Sequence, residues 1–201
     1  LKNIFTIMWD KLTVGQFISL YDIELSEQLN VVEKQQKMLA VVEGKNEEEY
    51  DAIKYRQLVQ DYAIKLEFFN NVPECKPVDY LVVNGNRYKF CFELTEITSG
   101  QYIDINHFSG QIMQLNKIAA CFFLRMKSDK YMEYGTIPHE VVAEDLLDAR
   151  FVDVYGCMLF FYQLFKELIS DTITSSNLTE ETRAALLRLW KDGDGFIQQN
   201  K

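Results

Sequence analysis

Proline is scarce in this sequence, with three residues in 201, and glycine is held to nine. A sandwich built on many tight turns and a disordered linker protein both need more of each, so long helices are the natural reading. Histidine is nearly absent. His107 and His139 have no second histidine at helical spacing, and Phe108-Ser109-Gly110 lacks the first glycine of a nucleophile elbow. The four cysteines, Cys75, Cys91, Cys121 and Cys157, form no C-x-x-C pair. Zinc has no paired ligands here, and a disulfide framework does not suit a chain with this much core, which favours a reducing compartment. Cys121 and Cys157 fall inside apolar runs and read as small core residues.

Long hydrophobic runs are missing too. The nearest approach to a span, Phe151 to Ile169, is broken by Asp153, Gln163, Lys166 and Glu167. No membrane partner is expected. The opening Leu1-Lys2-Asn3-Ile4-Phe5 does not read as a secretory leader, and its lack of Met leads us to expect residues before it. Phosphate cradles of the forms G-x-x-x-x-G-K-[ST] and G-x-G-x-x-G are absent, so no cofactor is expected. Asp192-Gly193-Asp194-Gly195 lacks the third acidic ligand and the closing glutamate of a calcium loop, so no metal site is assigned. Basic residues are outnumbered by acidic ones, 21 against 30, for a net charge of −9. No basic run offsets that average, which argues against direct nucleic-acid binding.

What the sequence has is aromatic bulk, 14 Phe and 11 Tyr, enough to carry much of a core. It also has a short internal repeat. Leu12-Thr13-Val14-Gly15-Gln16-Phe17-Ile18-Ser19-Leu20 returns as Ile97-Thr98-Ser99-Gly100-Gln101-Tyr102-Ile103-Asp104-Ile105. Each copy reads as a helix start. Thr13 and Thr98 are the N-caps, Gln16 and Gln101 reach back to the cap N–H, and Leu12/Phe17 and Ile97/Tyr102 are placed as hydrophobic staples. Two helices sharing a good cap, and a duplication or family signature, explain the repeat equally well.

From the first cap a helix is predicted from Thr13 to Leu25. A second, capped at Ser26, runs to Gly44, and a third spans Glu47 to Asn70. Tyr80-Leu81-Val82-Val83 and Arg87-Tyr88-Lys89-Phe90-Cys91-Phe92-Glu93-Leu94 flank Asn84-Gly85, the strongest short hairpin signal. Alternation puts Leu81, Val83, Tyr88, Phe90, Phe92 and Leu94 on a buried face. Arg87, Lys89 and Glu93 point the other way. Arg87, Lys89 and Tyr80 are the candidate protein contacts. A lone hairpin is marginal, so it must lie on the helices or join a neighbour's sheet. Ile105, Phe108, Ile112, Leu115, Ala119, Phe122 and Met126 recur at three and four, which predicts one helix from Thr98 to Met126. Tyr131 to Tyr134 suits a short strand, Pro138 a first helical turn, Phe151 to Ile173 a central apolar helix, and Thr179 onward a charged amphipathic one.

The fold class expected is therefore α+β and predominantly helical: a helical bundle core with one β-hairpin at about residues 79–94, a single domain over 1–191, and a loose tail over 192–201. Asp79 before the hairpin and Glu93 after it resemble the acidic half of a PD-(D/E)xK nuclease site, but Thr95 stands where the lysine belongs. A degenerate enzyme of that kind is the second alternative.

The segment Trp9-Asp10-Lys11-Leu12-Thr13-Val14-Gly15-Gln16-Phe17-Ile18-Ser19-Leu20-Tyr21-Asp22-Ile23, with Asn84-Gly85 and Thr98 to Asp104 further on, resembles small tail-assembly chaperones and tail or neck proteins of tailed bacteriophages, those of Bacteroides-type phages in particular. The resemblance covers about the first two-thirds of the chain, and its motifs are helix caps. It implies a non-enzymatic protein made in the host cytoplasm, with other phage tail or virion proteins as partners. Homo-oligomers are compatible with it. The first alternative is a structural subunit of the virion, in the tail, neck or a ring.

Overall fold

A computed structural model describes residues 9–91, 93 and 96–175. Among these residues it has seven α-helices and a four-stranded antiparallel sheet, so the chain is α+β and predominantly helical. In chain order the helices are α1 (Val14–Leu25), α2 (Val31–Glu43), α3 (Tyr55–Lys65), α4 (Ser99–Phe108), α5 (Leu115–Ala120), α6 (His139–Leu147) and α7 (Phe151–Ser175). The strands are β1 (Tyr80–Val83), β2 (Asn86–Phe90), β3 (Phe123–Lys127) and β4 (Lys130–Tyr131), a simple meander in the order β1-β2-β3-β4.

Both copies of the repeat are helix starts with closed capping boxes. The Thr13 hydroxyl accepts from Gln16 N–H at 3.1 Å while the Gln16 side-chain oxygen accepts from Thr13 N–H at 3.0 Å. Thr98 and Gln101 repeat the exchange at 3.2 and 3.0 Å. Each glutamine also has a second use. Gln16 Nε2 donates to the Val41 carbonyl near the end of α2, and Gln101 Nε2 donates to the Cys121 carbonyl that closes α5. A carbonyl in the last turn of a helix has no partner within that helix. Each box thus ties the start of one helix to the end of another. The copies differ at the aromatic: Phe17 is buried, as is Leu12, whereas Tyr102 is exposed.

Gln101 is itself buried, so its loss leaves two backbone groups short of partners. Replacing Thr98 and Gln101 together by alanine is expected to lower stability by about 2 kcal/mol, read from chemical denaturation. An unchanged midpoint would mean the box contributes nothing.

Several boundaries differ from those predicted. Ser26 does not cap α2; Asn30 does, accepting from Val32 and Glu33 N–H, and Gly44 ends the helix at φ 63°. The single helix expected over 47–70 is a 3-10 turn at Glu47–Tyr50, then α3, then a second 3-10 turn at Glu67–Asn70. Pro138 stands just before α6 rather than inside its first turn.

The largest correction is the predicted helix from Thr98 to Met126. Ser109 is extended and Gly110 has φ 79°, so α4 stops at Phe108. A 3-10 turn at Ile112–Gln114 then leads into α5, and Phe123 starts β3. The apolar spacing was a true burial signal: Ile105, Ile112, Leu115, Ala119 and Phe122 are all buried. They reach one core from two short helices, a turn and the approach to a strand. The predicted strand over 131–134 keeps only Tyr131, paired as part of β4. The helix expected from Thr179, the tail over 192–201, and Phe92 and Leu94 lie outside the described residues.

The core joins helices to the inner face of the sheet. Phe17 stacks on Phe151 at 4.0 Å between ring centroids, and Trp9 meets Phe68 edge-on at 4.9 Å. Further along α7, Phe161 packs on Phe122, which faces Phe90. Phe151 N–H donates to the Leu12 carbonyl and Val14 N–H to that of Ala149, so the starts of α1 and α7 are bridged. Cys121 and Cys157 are buried free thiols in this core, as their apolar settings implied.

Candidate functional site

The hairpin closes through Asn84-Gly85, with φ of 50° and 72°, the left-handed pair that a two-residue turn with the strands' own twist requires. Tyr80 pairs with Lys89, Leu81 with Tyr88, Val82 with Arg87 and Val83 with Asn86. Leu81, Val83, Tyr88 and Phe90 are buried and face the core. The hairpin does not stand alone: β3 continues the sheet, pairing Lys89 with Leu124 and Phe90 with Phe123. The outer face therefore presents Tyr80 and Val82 from β1, Arg87 and Lys89 from β2, Leu124 and Met126 from β3, and Tyr131 from β4.

Three of the residues named from alternation, Arg87, Lys89 and Tyr80, meet on this face. The Arg87 guanidinium carbon lies 4.1 Å from the centre of the Tyr80 ring, and Lys89 Nζ lies 5.2 Å from that of Tyr131. The two cations lean apart, Arg87 over β1 and Lys89 toward β4. Among the described residues neither makes an ion pair, although Lys37, Lys45, Lys65 and Arg150 all do. The helix caps Thr13, Gln16, Thr98 and Gln101 do structural work elsewhere.

The charge on the strands is one-sided. β1 to β4 carry Arg87, Lys89, Arg125, Lys127 and Lys130 and no carboxylate, in a chain whose net charge is −9. Arg125 is used internally, donating to the Asn86 side chain. Beyond Lys89 the surface changes sign, for a cleft of about 380 Å³ there is lined by Glu93, Glu96 and Glu133 as well as Lys89 and Tyr131. On the β1 side, Arg87 has no ion-pair partner among the described residues. Val82 is 76% exposed and Tyr80 41%, so the β1 side is also the apolar side.

Beneath the hairpin lies a polar network that sequence reasoning missed. Asp145 on α6 accepts from Asn84 Nδ2 at 3.2 Å, Asn86 Nδ2 at 2.8 Å and the Tyr88 hydroxyl at 2.5 Å. Asn84 also donates to Asp148 at 3.0 Å. Partial burial raises the cost of the Asp145 charge, but these donors and the Arg125 charge more than offset it and hold the carboxyl below its ordinary value. Burial and the Asp145 charge push the Tyr88 hydroxyl up, so it stays a donor. This network docks the hairpin on α6.

Cys121 Sγ lies 3.7 Å from His139 Nε2, the one close cysteine–histidine approach among the described residues. It is not an activated pair. Burial pushes the thiol up to about 12, and His139 Nε2 stands 2.8 Å from the Lys117 carbonyl, so it carries the proton and cannot take one. His139 instead stacks on Phe108. Asp79 precedes β1, where its carbonyl accepts from Phe90 N–H, and Glu93 is exposed; Thr95 lies outside the described residues. Among the described residues no group of three or more His, Cys, Asp or Glu could hold a metal, and no helix is long and apolar enough to cross a membrane. No family model, curated protein or solved structure matches the chain.

Proposed function

We propose that this protein is non-enzymatic and acts through protein contacts made by the outer face of its sheet, as a phage tail-assembly chaperone-like protein made in the host cytoplasm. The observation that supports contact through this face is its make-up: the strands place two cations, Arg87 and Lys89, and no carboxylate on it, beside exposed Tyr80, Val82 and Tyr131, in a chain whose net charge is −9. Electrostatic complementarity of that kind selects an acidic partner and speeds encounter. A nucleic-acid backbone is a poorer fit, because the chain's average charge repels it. The assignment to tail assembly rests on the resemblance of the Trp9 to Ile23 segment.

The test is affinity capture from a phage-infected bacterial lysate, with the retained proteins identified by mass spectrometry. The wild-type chain is expected to retain one large tail component, and an Arg87→Glu/Lys89→Glu variant to lose it. Rings or fibres formed by the purified chain alone would favour a structural virion subunit instead. Metal-dependent DNA cleavage abolished by Asp79→Ala would overturn the reading in favour of the nuclease alternative.

A further inference from the structure

The way β1 pairs with β2 shows what its other edge offers. Phe90 N–H donates to the Asp79 carbonyl, so residues 79, 81 and 83 turn their backbone groups toward β2. Residues 78, 80 and 82 turn theirs outward. At Val78 that outward edge is already closed by α7: Val78 N–H donates to Cys157 Sγ at 3.3 Å, and the thiol donates back to the Val78 carbonyl at 3.5 Å. At Tyr80 and Val82 it is open, and their N–H and C=O groups have no partner among the described residues. Edge strands are ordinarily guarded by lysine, proline, a bulge or a covering element. Tyr80-Leu81-Val82-Val83 contains no lysine or proline, and its pairing with β2 runs without a bulge.

We infer that the β1 edge takes an extended, acidic segment of a partner protein as a fifth strand of the sheet. This rests on the proposed role of the outer face and specifies how that face is used. The backbone groups of Tyr80 and Val82 supply the ladder. A side chain on the incoming strand directly beside Val82, on the outer face, would sit about 5 Å from it. Arg87 flanks Val82 on the opposite side, and its guanidinium is carried over β1 by stacking on Tyr80. A glutamate or aspartate on the incoming strand therefore meets a cation that has no ion-pair partner among the described residues, while its neighbours cover Val82 and Tyr80. Charge complementarity selects the acidic segment over a second copy of this chain, whose β1 is uncharged and flanked by the same cations.

The test uses the full chain, labelled with nitrogen-15, and a nine-residue peptide of alternating threonine and glutamate with blocked ends. Slowed hydrogen exchange at the Tyr80 and Val82 amides is expected on adding peptide, with Leu81 and Val83, already bonded within the sheet, unchanged. Arg87→Glu is expected to weaken binding roughly tenfold or more. Val82→Pro removes an outward N–H and leaves the β2 ladder intact, so it is expected to abolish binding with the fold retained. Exchange at Tyr80 and Val82 that is indifferent to peptide overturns the inference. So does protection that grows with protein concentration alone, which assigns the edge to a second copy, or displacement of the peptide by oligothymidylate. If lysate capture still depends on Arg87 and Lys89 while the amides do not respond, edge addition falls and contact through the face stands.

Discussion

Replacing Asp145 by alanine is expected to lower the stability of the protein by about 3 kcal/mol. One carboxylate here satisfies the Tyr88 hydroxyl, Asn86 and Asn84, and lies near Arg125, which donates to Asn86. Tyr88 is fully buried with Asp145 in place, so its hydroxyl loses its acceptor when the carboxylate is removed. A buried donor left alone costs roughly 1–3 kcal/mol, and Asn86 and Arg125 lose their organising partner at the same time. Asp145→Asn keeps the shape and one oxygen, so it is expected to cost about half as much. The pH dependence has a definite sign. A carboxyl held below its ordinary value of 3.8 contributes stability that is fully present above that value and is lost as pH falls through the depressed folded value. Wild type and Asp145→Ala are therefore expected to differ most above pH 3.8 and to converge below it, which denaturant titrations at several pH values would read. Curves that stay parallel into acid would show that folding does not lower the Asp145 carboxyl.

Much of this architecture was legible because it is local. The Thr-x-Gly-Gln boxes at Thr13 and Thr98 announce helix starts within four residues, and Asn84-Gly85 between alternating runs announces a hairpin and its register. Alternation alone then placed Tyr80, Arg87 and Lys89 on the outer face. What failed was continuity. From Ile105 to Met126 the apolar spacing matches a helix throughout, but Gly110 turns left-handed and the aromatic pair Phe122-Phe123 completes the sheet beside Phe90. Burial was readable at these positions and the backbone state was not, since a core residue is apolar whether a helix or a strand delivers it. With β3 read as helix, the sheet had two strands, and the one-sided charge of four could not be seen. The Asp145 network had no signal either, because Asn84 and Asp145 are 61 residues apart and the Asn84-Gly85 motif announces a turn, not a distant partner.

Gly156→Ala is the other substitution expected to have a large effect, and it links the core to the proposed binding edge. Gly156 lies in α7, where alanine would otherwise favour the helix by about 1 kcal/mol. A Cβ at this position would stand 2.6 Å from the Lys76 carbonyl oxygen and 2.8 Å from its carbon. Those are backbone atoms, so no side chain can rotate away; either the strap leading into β1 or the helix must move. Overpacking of this kind typically costs 1–3 kcal/mol, and a net loss of about 2 kcal/mol is expected in chemical denaturation. The displacement acts where the strap is pinned, since Cys157 is the next residue on α7 and holds both backbone groups of Val78. Moving Lys76 off α7 loosens Val78 and shifts β1 relative to Arg87. Gly156→Ala is therefore expected to weaken acidic-peptide binding at Tyr80 and Val82 even under conditions where the variant remains fully folded. Stability lost with peptide affinity unchanged would show that the β2 ladder alone positions β1. Loss of both would show that the strap over α7 sets the edge that a partner meets.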